Sequence, residues 1–123
     1  MRQLQTVLIA LVALLGLAGA AEASVDLWTQ PLFAGAGDGF RCEVRNVSPL
    51  NRAVRIRIYN AIAAVLVDDS FVVLPLTSEI AGVFGPGVFT CRFTLPSTTT
   101  VRAGGTIFTA TGNLTDKVAV PAQ

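Results

Sequence analysis

Apolar and polar side chains alternate with a period of two along three stretches of the chain. In FRCEVRNV, residues 40–47, Phe40, Cys42 and Val44 share one face while Arg41, Glu43 and Arg45 share the other. VRIRIYN sets Val54, Ile56 and Ile58 against Arg55, Arg57 and Tyr59, and VFTCRFTL sets Phe89, Cys91, Phe93 and Leu95 against Thr90, Arg92 and Thr94. This is the pattern of strands with one face in a core and one in water, so the charges point outward and both cysteines inward. Shorter stretches predict further strands at Val25–Trp28, Ala64–Val67, Phe71–Leu74, Ile80–Phe84, Thr99–Ala103, Thr106–Thr111 and Lys117–Val120. Turn signals separate them: AGAGDG at 34–39, SPLN at 48–51, GPG at 85–87, PS at 96–97, GG at 104–105 and GN at 112–113. No segment after residue 23 carries a helical period; NAIAAVL at 60–66 comes nearest, but it is short and runs into β-branched residues. Short strands at such spacing, without helices, predict an all-β antiparallel sandwich.

The first 23 residues stand outside this pattern. Arg2 lies beside the terminal amine, an apolar run extends from Val7 to Ala21, and Ala21 and Ala23 form an A-x-A arrangement. That is the plan of a signal peptide helix, with cleavage expected after Ala23 or, as the alternative site, after Ala20. The run is about 15 residues, short of the roughly 20 that span a bilayer, so no transmembrane segment is expected after cleavage. The expected organisation is a signal peptide at 1–23 and a single domain at 24–123, secreted or periplasmic. One basic and one acidic residue leave with the leader, and the formal net charge stays at +1. That balance gives no general drive toward nucleic acid or an anionic membrane.

An exported chain with two cysteines and no third thiol most simply forms one disulfide, Cys42–Cys91. The inward direction of both side chains lets them meet across a core.

Histidine is absent. Ser-His-Asp and Cys-His nucleophile systems therefore cannot be assembled, and neither can a type 1 copper site or an ordinary zinc site. No cofactor, metal or catalytic residue is expected. Asp68 and Asp69, joined by Glu79, are the carboxylates available for glycosidase chemistry or Ca²⁺ binding, but DDS reads better as a solvated turn between Val67 and Phe71. Lys117 is the sole lysine a serine-lysine dyad could use. Asn46-Val-Ser48 and Asn113-Leu-Thr115 match the glycosylation sequon; the reading for Asn46 and Ser48 is turn stabilisation by side chain to backbone hydrogen bonds.

The candidate binding residues are arginines. Arg55 and Arg57 share the outer face of one strand, Tyr59 extends it, and Arg92 and Arg102 are expected on neighbouring strands. Guanidinium forks match carboxylate, phosphate or sulfate groups, so this face suits an anionic glycan, a lipid headgroup or an envelope protein. The plainer alternative is a soluble sheet face whose Arg stems discourage edge pairing. Trp28 offers a sugar-stacking surface or, as the favoured reading, closes one end of the core.

The inter-cysteine distance and strand count resemble an immunoglobulin-like sandwich, although Ile56 stands where that family has a core tryptophan and Phe89 replaces the tyrosine two residues before the second cysteine. CEVRNVS at 42–48, RAVRIRIYN at 52–60, CRF at 91–93 and VRA at 101–103 are similar to segments of small exported bacterial proteins of unknown function. That resemblance implies a secreted single-domain sandwich with the disulfide and no assigned activity. Those proteins turn after the second strand with an Asn-Gly or Asp-Gly hairpin, whereas NAIAAV has no glycine. The expected function is non-catalytic binding or envelope association. The alternatives are a pilin-like surface-assembly subunit, pairing through an edge or through Lys117–Val120, and a carboxylate-only enzyme.

Overall fold

The computed structural model describes residues 24–110 and 115–123. The leader, the GN pair at 112–113 and the first two residues of the second sequon, at 113–114, lie outside the described residues. Among the described residues nine strands form the body: β1 Val25–Trp28, β2 Leu32–Ala34, β3 Asp38–Asn46, β4 Arg52–Tyr59, β5 Val65–Val73, β6 Ser78–Phe84, β7 Gly87–Leu95, β8 Val101–Thr109 and β9 Asp116–Pro121. They make two antiparallel sheets. One runs β1-β7-β4-β5, with β2 also on β7, and the other runs β6-β3-β8-β9.

The alternation read in the sequence is realised strand by strand. Phe40, Val44, Ile56, Ile58 and Phe93 are fully buried between the sheets, and Arg41, Glu43, Arg45, Arg55, Arg57 and Arg92 lie on outer faces. Cys42 on β3 and Cys91 on β7 belong to opposite sheets, and their disulfide joins the two layers with Cα atoms 5.9 Å apart. Both sulfur-bearing residues are fully buried.

The two flanks of the sandwich are built differently. On one flank the C-terminus leaves β9 and pairs with β1: Trp28 N donates to Gln123 O at 2.8 Å and Gln123 N to Trp28 O at 2.9 Å. Ala122 N still donates to Ala103 O at 3.0 Å, so one segment bonds to both sheets and closes that side. On the other flank β5 and β6 are edge strands. Asp69 pairs in register with buried Ile56, and Glu79 with buried Val44, so each edge carries a carboxylate on its inner face. Inward charges on edge strands oppose pairing with another chain.

Several sequence expectations are corrected. The DDS turn does not exist: Asp68, Asp69 and Ser70 lie inside β5, which joins the two predicted strands into one. Asp68 sits opposite Arg57 and accepts from Arg55, which makes extended backbone favourable there. The GG pair at 104–105 is likewise interior to β8. A Cβ at Gly104 would lie 2.9 Å from Val120 O, and one at Gly105 would lie 3.2 Å from Cys91 Sγ, so close backbone approach rather than chain reversal explains both glycines. β2 was not anticipated; Pro31 separates it from β1. Thr29 keeps the ladder intact across that break, donating its N–H to Cys91 O and accepting Cys91 N–H at its hydroxyl.

The glycine-free turn after β4 closes on Asn60. Its Oδ1 accepts from Ile62 N at 3.1 Å and Ala64 N at 2.9 Å, while Ala63 takes a left-handed φ of 61°.

Candidate binding face

The outer face of the five-stranded sheet gathers most of the arginines singled out above. β7 lies between β1 and β4, and the register sets Trp28 opposite Arg92, Arg92 opposite Arg57, and Arg57 opposite Asp68. Arg55, Arg57, Arg92 and Tyr59 therefore form one surface. Arg102 does not belong to it. β8 pairs with β3 in the other sheet, where Arg102 faces Arg45 across the ladder and donates to Thr98 O at 3.1 Å.

Trp28 is corrected as well. Leu27, its neighbour, packs against the core, and alternation then turns Trp28 outward, 43% exposed. Its ring lies 5.4 Å from that of Tyr59, tilted by 33°, with the Arg92 guanidinium 5.0 Å from the indole centroid. The packing is favourable, because the guanidinium plane meets the electron-rich ring face.

A polar chain shares this face with the rings. Arg57 donates to Thr94 Oγ1 at 2.7 Å, Thr94 donates to Asp26 Oδ1 at 2.7 Å, and Arg92 donates to Asp26 Oδ2 at 2.5 Å and to Tyr59 Oη at 3.3 Å. The hydrogen bond from Arg92 holds the Asp26 carboxyl below its usual pKa, aided by that from Thr94, and Asp26 in turn raises Arg92. Arg55 and Asp68 form a bidentate pair at 2.8 and 2.6 Å, which lowers Asp68 and raises Arg55. Two of the three arginines thus have carboxylate partners. Among the described residues Arg57 does not: its partner is neutral Thr94, and its Nε is buried without a hydrogen bond. A shallow recess of about 330 Å³ lined by Ala53, Arg55, Ser70, Val72 and Thr94 prolongs the surface toward the start of β4.

The remaining candidates are dispersed. Asp68 is on the outer face, Asp69 on the inner side of the β5 edge, and Glu79 on β6 of the other sheet, so the carboxylates do not converge. Among the described residues no group of three or more His, Cys, Asp or Glu is placed to hold a metal ion, and no helix is long and apolar enough to cross a membrane. The Lys117 ammonium is paired with Asp38 at 2.9 Å. Sequence reasoning missed Asp26 and Thr94. Alternation placed Thr94 on the arginine face, but the pairing of β1 with β7, which brings Asp26 beside it, has no local signal.

No family model matches this chain, and no curated protein matches it in sequence. In three dimensions it is similar to the crystal structure of Thermotoga maritima 1070, with a TM-score of 0.59 and 9% identity over 84% of this chain and 95% of that one. The likeness is one of fold.

Proposed function

We propose that the chain is an exported, non-catalytic binding module that holds acidic glycans on the outer face of its five-stranded sheet. One observation carries the reading: Trp28 and Tyr59 present their rings on the same surface as Arg57, the one guanidinium of that face with no carboxylate partner among the described residues. An apolar sugar face stacks on the exposed indole, as on any aromatic platform. The carboxylate and guanidinium groups of Asp26 and Arg92 exchange hydrogen bonds with ring hydroxyls. A uronate or sulfate then pairs with Arg57, where charge-assisted bonds are the strong ones. The leader sequence and the inter-sheet disulfide support export.

Retention of the 24–123 segment on immobilised polygalacturonate, with neutral dextran as control, tests this. Trp28→Ala and Arg57→Ser should each weaken retention about tenfold in protein that still unfolds cooperatively, while Arg55→Ser, whose partner is Asp68, should have little effect. Equal retention of all four proteins, or none of the parent, refutes the reading.

A surface-assembly role draws support from the exposed edges of β5 and β6, which show Val65, Val72, Ile80 and Phe84 to solvent. The terminal segment once expected to pair with a neighbour is already paired as β9. Concentration-dependent association in light scattering would favour assembly, and a monomer at high concentration would end it.

A further inference from the structure

One end of the sandwich combines features that the folded chain alone does not require. Three loops meet there: residues 47–51 after β3, 74–77 after β5 and 96–100 after β7. Each contains one proline, Pro49, Pro75 or Pro96, and none contains an acidic residue. They expose Val47, Leu50, Leu74 and Leu76, the last 67% accessible.

These apolar side chains sit on a fixed frame. Asn46, fully buried, donates from Nδ2 to Leu50 O and Val73 O, and its backbone bonds to Thr77 O and Leu76 N. Val47 N donates to Thr100 O and ties in the third loop. Leu74 to Thr77 form a turn closed by Thr77 N donating to Leu74 O at 3.2 Å, with Pro75 second and Leu76 third at φ 59°. Proline followed by a left-handed residue is the plan of a type II turn, in which the third position ordinarily belongs to glycine or asparagine. Here a leucine occupies it, at a cost both in backbone strain and in apolar exposure.

Basic side chains surround this tip. Arg52 donates to Ser48 Oγ in the first loop and Arg102 to Thr98 O in the third, while Arg45 faces Arg102 directly across the β3–β8 ladder. Like charges in register repel. Arg45 makes no salt bridge among the described residues. Apolar residues on a rigid tip, ringed by arginines with no carboxylate in the loops, complement the surface of an anionic bilayer.

We propose that this end docks on anionic lipid, with Leu50, Leu74 and Leu76 entering the interface and Arg45, Arg52 and Arg102 meeting the headgroup phosphates. The proposed glycan surface is the outer face of one sheet and this site is the loop end, built from other residues, so one does not require the other.

Co-sedimentation of the 24–123 segment with vesicles of equimolar phosphatidylglycerol and phosphatidylcholine tests the proposal, with pure phosphatidylcholine vesicles as control. The parent should bind the anionic vesicles only. Leu76→Gly is the informative variant, because glycine accepts the left-handed backbone: it should melt no lower than the parent yet bind about tenfold more weakly. Arg45→Ser combined with Arg102→Ser should abolish the preference for phosphatidylglycerol. Undiminished binding by Leu76→Gly, equal binding to both vesicle types, or no vesicle binding together with dimerisation through this end would each overturn the proposal, the last assigning the tip to a second copy.

Discussion

Replacing Asn46 is the sharpest perturbation of the fold. Besides its two donations to Leu50 O at 2.7 Å and Val73 O at 2.9 Å, Oδ1 accepts Ser48 N at 3.0 Å and Ser48 Oγ at 2.7 Å. Asn46→Ala leaves the carbonyl of Val73 and the amide of Ser48 without partners in a buried setting, at about 1–3 kcal/mol each. The expected loss is about 3 kcal/mol, which lowers the melting temperature by about 15 °C in a domain of this size. Asn46→Asp keeps the shape but turns an oxygen toward two carbonyls. At neutral pH it should cost at least as much as alanine. Its behaviour with pH is diagnostic: protonation restores a donor, so the introduced carboxyl has a folded-state pKa above its unfolded value. The variant therefore regains stability as pH falls through that folded value, opposite to the parent. Urea unfolding followed by circular dichroism measures all three proteins. Asn46→Ala within about 1 kcal/mol of the parent, or Asn46→Asp without recovery in acid, would refute the reasoning.

Two further outcomes are expected. Replacing both Cys42 and Cys91 with alanine frees a loop whose ends are 49 residues apart, and the unfolded chain regains entropy equivalent to about 4 kcal/mol. The urea midpoint should fall by about 2 M, and a fall below about 0.5 M contradicts the disulfide's role. Asp26, Asp38 and Asp68 have folded pKa values below the ordinary 3.8, chiefly through hydrogen bonds from Arg92, Lys117 and Arg55 respectively. The stabilisation from these pairs is fully present above that ordinary value and disappears as pH falls through the depressed ones. With no histidine in the chain, unfolding midpoints should be level between about pH 5 and 7 and drop below about pH 4. A marked change between about pH 5 and 7 would contradict this.

What was legible in the sequence followed from alternation. The cysteine strands, the charged outer faces and the meeting of the two sulfurs depend only on which residues lie two apart. Positions whose identity answers to a distant partner were not legible. Gly105 reads locally as a turn, yet it is a strand residue made small by Cys91, Phe40 and Thr29 above it. Asp68 and Asp69 also read as a turn, because strand polarity at an edge obeys cross-strand charge rather than burial. Trp28 reads as a residue closing one end of the core, but the pairing of β1 with β7 packs Leu27 inward, and alternation then turns Trp28 to solvent. Arg102 was assigned to the wrong sheet because strand order crosses between layers, so that consecutive β7 and β8 lie in different sheets.

Nuclear magnetic resonance titration with an acidic oligogalacturonide tests the central claim most directly, by observing both outer faces at once. The indole N–H of Trp28 and the backbone amides of Arg57, Arg92 and Thr94 should shift in a saturable manner, while those of Arg41 and Thr106 on the opposite sheet stay in place. Shifts confined to the four-stranded sheet, or no shifts at any sugar concentration reached, would contradict the assignment of the Trp28–Arg57 face as the binding surface.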